Sequence, residues 1–289
     1  MHSRSWLPLV VVLALGLTGC GASSAREPSP PACGTIDSRV YPPGSTVDRL
    51  HRERRLRVGV KFDSPGVSYR DPDTGEMSGF DVEIAKVVAC RLGVPDDRIE
   101  WVAAPNKNRE KLIRTGAVDI VVASYVINEE RRQLVSFAGP YYRDYQAVMV
   151  LTDETQISGP RTLKGRKVCA VTGSLSLQNI ELYGAVGVAL TDYSQCVALL
   201  LARKVEAVSA PSAILIGQLT LHPAEVKIVG EPLDDFPYGI GLAKTDANFR
   251  RFLDDVLEQS FTDGTWRHAY DQTLGRSGIG APIPPVVHR

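Results

Sequence analysis

The sequence lacks the features that would commit it to nucleic acid or to a multi-pass membrane protein. It has no excess of either charge sign: Lys+Arg and Asp+Glu each number 33 among 289 residues. A nucleic-acid partner wants a strongly basic face, and this balance removes that case. No apolar run reaches the roughly 20 residues that cross a bilayer, so a multi-pass transporter is excluded. Histidine is sparse, with five scattered residues, and no Cys/His spacing resembles a zinc site. No metal and no cofactor is expected. What remains is ordinary globular usage, 44% apolar and 23% charged. The length suits two ordinary domains or one large one.

The N-terminus points outside the cell. Residues 1–20 read MHSRSWLPLVVVLALGLTGC. His2 and Arg4 form a short basic start, and residues 6–17 are an apolar stretch of signal-peptide length, too short to span a membrane. The stretch ends in Leu17-Thr18-Gly19-Cys20, which resembles the bacterial lipobox, where the Cys is acylated and becomes the new N-terminus. Cys20 is therefore the expected lipid anchor; several acyl chains on one residue hold stably where one would not. Residues 21–31, GASSAREPSPP, are small, polar and Pro-rich, and read as an extended tether. The expected location is the cell membrane, lipid-anchored on its extracellular or periplasmic face. Cys33, Cys90, Cys169 and Cys196 remain. An even count in an exported chain favours disulfides, and four cysteines allow three pairings.

The body alternates between strand and helix signals. Residues 56–62 (LRVGVKF) form a β-branched run that stops at a turn, Asp63-Ser64-Pro65-Gly66. Residues 80–92 carry Ile84, Val87, Val88 and Leu92 on one helical face, ended by Gly93. Strands are predicted at 99–103, 118–123 and 146–151, with a short helix at 109–115. The pattern then restarts: strands at 167–171, 188–193, 206–209, 226–229 and 238–243, helices at 174–182, 194–203 and 212–221, then helices at 248–261 and 265–274. This is an α/β fold with mainly parallel sheets. Such sheets bind ligands beyond the carboxyl ends of their strands, which puts candidate residues just after Phe62, Ala123, Val171 and Ser209.

The residues at those strand ends carry a resemblance. VGVKF…GEMSGFDVEIAKVVACRLG and VDIVVASYVINEERRQLVSFAGPYY look like the first lobe of the bacterial extracellular solute-binding proteins of family 3, the polar amino-acid receptors of ABC importers. LKGRKVCAVTGSLS, EAVSAPSAILIG and FPYGIGLAKTD look like the second lobe and the returning strand, and FTDGTWRHAYDQTLG is similar to the closing helix. The ordered set runs from about residue 50 to 274 and is most like the glutamate/glutamine-binding lipoproteins of actinobacteria. The resemblance implies a two-lobe, type II periplasmic-binding-protein-like fold with hinge strands between the lobes. It implies a signal peptide at 1–19, the lipidated Cys and tether at 20–49, lobe 1 at 50–145 and 241–275, lobe 2 at 146–240, and a tail at 276–289. Those lipoproteins have two cysteines placed like Cys169 and Cys196, so that bridge is expected, with Cys33–Cys90 as the second. The implied partners are a small-molecule ligand (amino acid or carboxylate) and an ABC permease in the membrane; the receptor is expected to act as a monomer.

Site residues follow from the same likeness. Arg131, in Asn128-Glu129-Glu130-Arg131-Arg132, reads by itself as part of a solvated charge run. The resemblance makes it the arginine that grips a ligand carboxylate, a task suited to the planar guanidinium fork. Ser124 and Val126 follow the buried strand and offer main-chain groups, and Ser124 also a hydroxyl. Ser174 and Leu175 lie where a strand turns into a helix, whose free N–H groups favour an anion; a plain helix cap at Ser174 fits equally well. Phe62 and Tyr69 match aromatic walls of the ligand site, or else pack in the core. Asn108 and Arg109 lie in a loop facing the cleft, with Arg109 set to meet a side-chain carboxylate or to lie on the surface.

The main departure is Pro211, where amino-acid receptors normally carry an Asp for the ligand ammonium. Proline carries no charge and donates no hydrogen bond. Asp192, Asp234 and Asp235 are the acids that could compensate; otherwise the ligand has no ammonium. The leading expectation is a lipid-anchored receptor that feeds a permease. A sensor on the same fold, signalling to a membrane partner and binding a non-amino-acid carboxylate, is the alternative. Enzymatic use is not expected: Glu129 and Glu130 read as surface charges, and no nucleophile–base pair stands out.

Overall fold

Runs of β-branched residues, each followed by an amphipathic segment, wind the chain into two halves that share one sheet. The computed structural model of the chain describes residues 41–278 and 280–288. The expected signal peptide, Cys20, Cys33 and the tether up to residue 40 lie outside the described residues.

The first half opens with α1 (Thr46–Glu53) and β1 (Leu56–Val60), then a small sheet of β2 (Asp63–Ser64), β3 (Ser68–Arg70) and β4 (Met77–Ser78). It continues through α2 (Phe80–Arg91), β5 (Ile99–Ala103), α3 (Arg109–Arg114), β6 (Ile120–Val121) and α4 (Glu129–Leu134). The chain crosses over on β7 (Ser136–Leu151). The second half holds β8 (Lys167–Val171), α5 (Leu175–Leu182), β9 (Val186–Leu190), α6 (Tyr193–Leu201), β10 (Ala207–Pro211) and α7 (Ser212–Leu221). It returns on β11 (Val226–Leu242) and closes with α8 (Ala247–Asp263) and α9 (Thr265–Asp271).

The main sheet has the order β5-β1-β6-β11-β7-β10-β8-β9. Pairing is parallel within β5-β1-β6 and within β10-β8-β9, and antiparallel around the central β11-β7 pair. The central pair serves both halves. Phe137 and Ala138 of β7 face Gly241 and Ile240 beside β6, whereas Val148 and Met149 face Val229 and Ile228 beside β10. This is the two-lobe α/β architecture, with β7 and β11 as the hinge strands.

Packing explains the ends of the body. Tyr41 sets its ring edge-on to Phe252 at 5.3 Å, and Val47 and Leu50 of α1 are buried. The folded body thus begins before residue 50, where the sequence puts the first lobe. The expected tail also returns to it: the His288 N–H donates to the Gly139 carbonyl at 3.0 Å. Phe80, Trp266 and Tyr270 form an aromatic core, and Trp266 Nε1 donates to the Tyr141 carbonyl at 2.8 Å. Cys169 and Cys196 are bridged, with 5.4 Å between their Cα atoms, tying β8 to α6. Cys90 is disulfide-bonded too. Among the described residues no helix is long and apolar enough to cross a membrane.

Candidate functional site

The carboxyl ends of β1, β6, β8 and β10 converge where the halves meet. There Lys61, Asn106, Arg109, Ser124, Val126, Arg131, Ser174, Leu175, Ser176, Tyr193, Pro211, Ile214 and Phe236 line a cavity of about 10 Å³. That is about the room for one water, so the cleft is shut. The adjoining cavity, about 130 Å³, shares Lys61 and Asn106 and adds Phe62, Asp63, Thr191 and Asp192. A larger cavity, about 280 Å³, lies elsewhere around Gly66, Gly217 and Leu274. No buried charged side chain lines it, so the small cavity carries the chemistry.

Arg131 sits in the short α4, whose start is capped when Asn128 Oδ1 accepts the Arg131 N–H at 2.9 Å. Its guanidinium is buried and spans the cleft. Nη1 donates to the Val126 carbonyl at 2.7 Å, and Nη2 to the Gly173 carbonyl of the other half at 3.2 Å. Loss of water, then the nearby Arg109, lowers its pKa to about 10. Arg109 is only 2% exposed and lies 3.9 Å from the Tyr125 ring centre; Arg131 lies 5.5 Å from the same ring. The aromatic face is negative and offsets part of the crowding of the two cations. The Tyr125 hydroxyl donates to Glu110 Oε1 at 2.7 Å.

Lys61 is a third buried cation, 6% exposed, at the end of β1. Its Nζ lies 4.6 Å from the Tyr193 ring centre. Burial lowers its pKa to about 8, against the pull of Asp63. Three buried polar atoms around this cavity have no hydrogen-bond partner: Asn106 Oδ1, Arg109 Nε and Ser176 Oγ. Buried polar groups are nearly always paired, so this cluster points to a missing polar guest.

Ser124 is held from below. Its backbone sits at φ 46, a left-handed conformation that serine rarely takes. Asp81, the acid of the GFDVEIA segment, accepts the Ser124 N–H at 2.7 Å and its hydroxyl at 3.1 Å, and the Tyr141 hydroxyl at 2.7 Å. Burial pushes Asp81 up to about 6, against those hydrogen bonds. Ser174 caps α5, its Oγ accepting the Leu177 N–H at 3.1 Å, so its hydroxyl already has a task.

Most of the sequence-predicted residues meet here: Arg131, Ser124, Val126, Ser174, Leu175, Arg109 and Pro211. The other expected residues lie outside this cavity. Asn108 is exposed before α3, and Asn106, two residues earlier, takes the place at the cavity. Tyr69 lies in the small sheet opposite Asp63 and Ser78, and lines neither cleft cavity. Phe62 walls the adjoining cavity, with Arg70 5.3 Å from its ring centre. Asp234 and Asp235 are exposed on β11, bound to Asn179 and Arg143, so neither compensates for Pro211. Sequence reasoning missed Lys61, Asn106 and Tyr193. Lys61 was findable: a lysine ending an apolar strand, at the sheet edge where ligands bind.

The lobes touch through named contacts. The Asp63 carboxylate accepts the Tyr193 N–H at the start of α6 at 2.7 Å, and Gln218 Nε2 donates to the Asp63 carbonyl at 3.1 Å.

Comparison with known proteins shows the family and agrees with the fold. The family model described as bacterial extracellular solute-binding proteins, family 3, matches residues 56–276. The glutamate-binding protein GluB of Corynebacterium glutamicum is 34% identical over 238 residues, covering 78% of this chain and 80% of that one. The glutamine-binding protein of Geobacillus stearothermophilus is 28% identical over 253 residues, covering 86% and 96%. Among solved structures, an ancestral arginine-binding protein bound to glutamine superposes with a TM-score of 0.72 at 31% identity, covering 76% of this chain and 98% of that one.

Proposed function

Because the chain belongs to the bacterial extracellular solute-binding proteins of family 3, we propose that it is the anchored receptor of an ABC importer, closing its lobes over an acidic amino acid or a kindred small carboxylate. The family and the relatives are binding proteins, and the chain is not an enzyme. One observation carries the ligand reading: the buried Arg131 guanidinium donates to carbonyls of both halves across the closed cleft. When the lobes part, Nη2 loses the Gly173 carbonyl and is freed for a carboxylate, while Nη1 still rests on Val126 of its own half and must exchange that carbonyl for the second carboxylate oxygen. Closure by hinge motion then hides the solute until a permease takes it. The Leu17–Cys20 box supports an acylated Cys20 that tethers the receptor at the membrane surface.

Calorimetry of the purified full chain with glutamate, glutamine, aspartate, asparagine and simple dicarboxylates tests this. A binding heat of micromolar affinity or tighter is expected, and Arg131→Ala should abolish it. Unchanged affinity in the variant rejects the site. The second reading, a sensor for a membrane partner, is favoured by the uncharged wall at Pro211. A permease and an ATPase encoded beside the gene would decide for transport.

A further inference from the structure

The charges in the closed cleft do not balance. Lys61, Arg109 and Arg131 are all buried at the cavity, and no carboxylate lines it. The acids around it are engaged elsewhere. Asp81 holds Ser124 and Tyr141, and Glu110 holds the Tyr125 hydroxyl and pairs with Arg109 at 3.6 Å. Asp144 is occupied by Ser212, the Ala213 N–H and Tyr238. Asp63 is tied to the Tyr193 N–H and, with Asp192, faces the adjoining cavity. Pro211, on the wall of the inner cavity, presents no polar hydrogen and no charge.

An ammonium entering here meets three like charges in a medium of low dielectric and finds only neutral acceptors, Asn106 Oδ1 and the Ser176 hydroxyl among them. A carboxylate meets the opposite. Arg109 is paired with Glu110, so one carboxylate at Arg131 leaves Lys61 uncompensated, and a second brings the cavity close to neutrality. Turned about its Cβ–Cγ bond, the Asn106 amide offers its NH₂ to a carboxylate equally well.

We propose that the cleft recognises a small dicarboxylate through Arg131 and Lys61, draws no affinity from an amino group, and uses Lys61 to select a second carboxylate over an amide. This rests on the reading of the cleft as a solute site. At pH 7 Lys61 is largely charged, since its pKa of about 8 lies above that pH. The charges that face it are Asp63, Asp81, Arg109 and Arg131, with the Tyr193 ring beside them.

Calorimetry of the purified full chain with glutarate, L-glutamate and L-glutamine is the test. Glutarate is expected to bind at least as tightly as glutamate, and glutamine about tenfold or more weaker. Lys61→Gln should lower glutarate affinity about ten- to hundredfold and leave glutamine within about threefold. Wild-type protein gives a readout that needs no variant: the preference for glutarate over glutamine should shrink as pH rises past about 8. Glutamate binding tenfold tighter than glutarate overturns the proposal, as does a preference that stays constant through that pH range. Equal losses for glutarate and glutamine in a Lys61→Gln variant that melts like wild type also overturn it. Binding of glutamine with no response to glutarate sinks this inference and leaves the receptor reading standing, whereas silence of the whole panel sinks both.

Discussion

Gly217 of α7 lies so close to the Pro65 carbonyl that a β-carbon built on it would sit 1.9 Å from the oxygen. The two residues belong to opposite halves, so this contact exists only when the cleft is shut. Gly217→Ala should therefore wedge the lobes apart while improving the helix itself, because alanine is the better helix former. The expected outcome is ligand affinity reduced by about tenfold or more, since the closed state loses population. Small-angle scattering should show no ligand-induced compaction. Normal compaction in the variant would mean that the backbone yields there.

Asp63 works from the other side of the same seam. Its carboxylate satisfies an N–H at the start of α6, where Asp192 supplies no side-chain cap. Asp63→Ala should weaken ligand binding by about three- to tenfold, the value of one charge-assisted hydrogen bond partly replaced by water. Calorimetry beside a melting curve checks this, and a large loss of melting temperature would reassign Asp63 to the fold of its own lobe.

Asp81 predicts a pH dependence of stability. Burial raises its folded pKa from 3.8 to about 6. Between those values the folded chain keeps a proton that the unfolded chain has released. Stability from this residue is thus fully present below about pH 4 and is lost as pH rises through about 6. Asp81→Asn should remove that component. Denaturant unfolding at several pH values should show the wild-type and variant stabilities diverging across the window and running parallel above pH 7.

The Cys169–Cys196 bridge closes a loop with a sequence separation of 27. Replacing both cysteines with serine should cost roughly 3–4 kcal/mol on the chain-entropy account. Unfolding midpoints under non-reducing conditions measure it. An unchanged midpoint would show that the unfolded chain is compact without the bridge.

Local signals were readable where one rule acted alone. The strand at 99–103, the strand at 167–171 and the helix at 212–221 are where the residue patterns put them. The hinge strands were not readable. Gly139 and Pro140 interrupt β7, and a proline in a strand pattern argues for a break. In β11 the stretch 230–237, GEPLDDFP, reads as a loop between two strands, yet cross-strand pairing carries it through with register shifts. The strand expected at 118–123 pairs only at Ile120–Val121, although all but Asp119 of the stretch is buried. At the site, Arg131 was visible through the family likeness alone, since its charged neighbours Glu129 and Glu130 are exposed as a solvated run would be. Lys61, Asn106 and Tyr193 come together only by tertiary folding, from segments that no local pattern relates.

The ribbon formed by β7 and β11 has a mechanical consequence. A hydrogen-bonded pair of antiparallel strands bends readily out of its plane, but sliding along its length would break every cross-strand bond in turn. Both halves hang from this single ribbon. They can swing like covers about a spine and cannot shear past each other, so one spectroscopic ruler across the mouth would follow the whole movement.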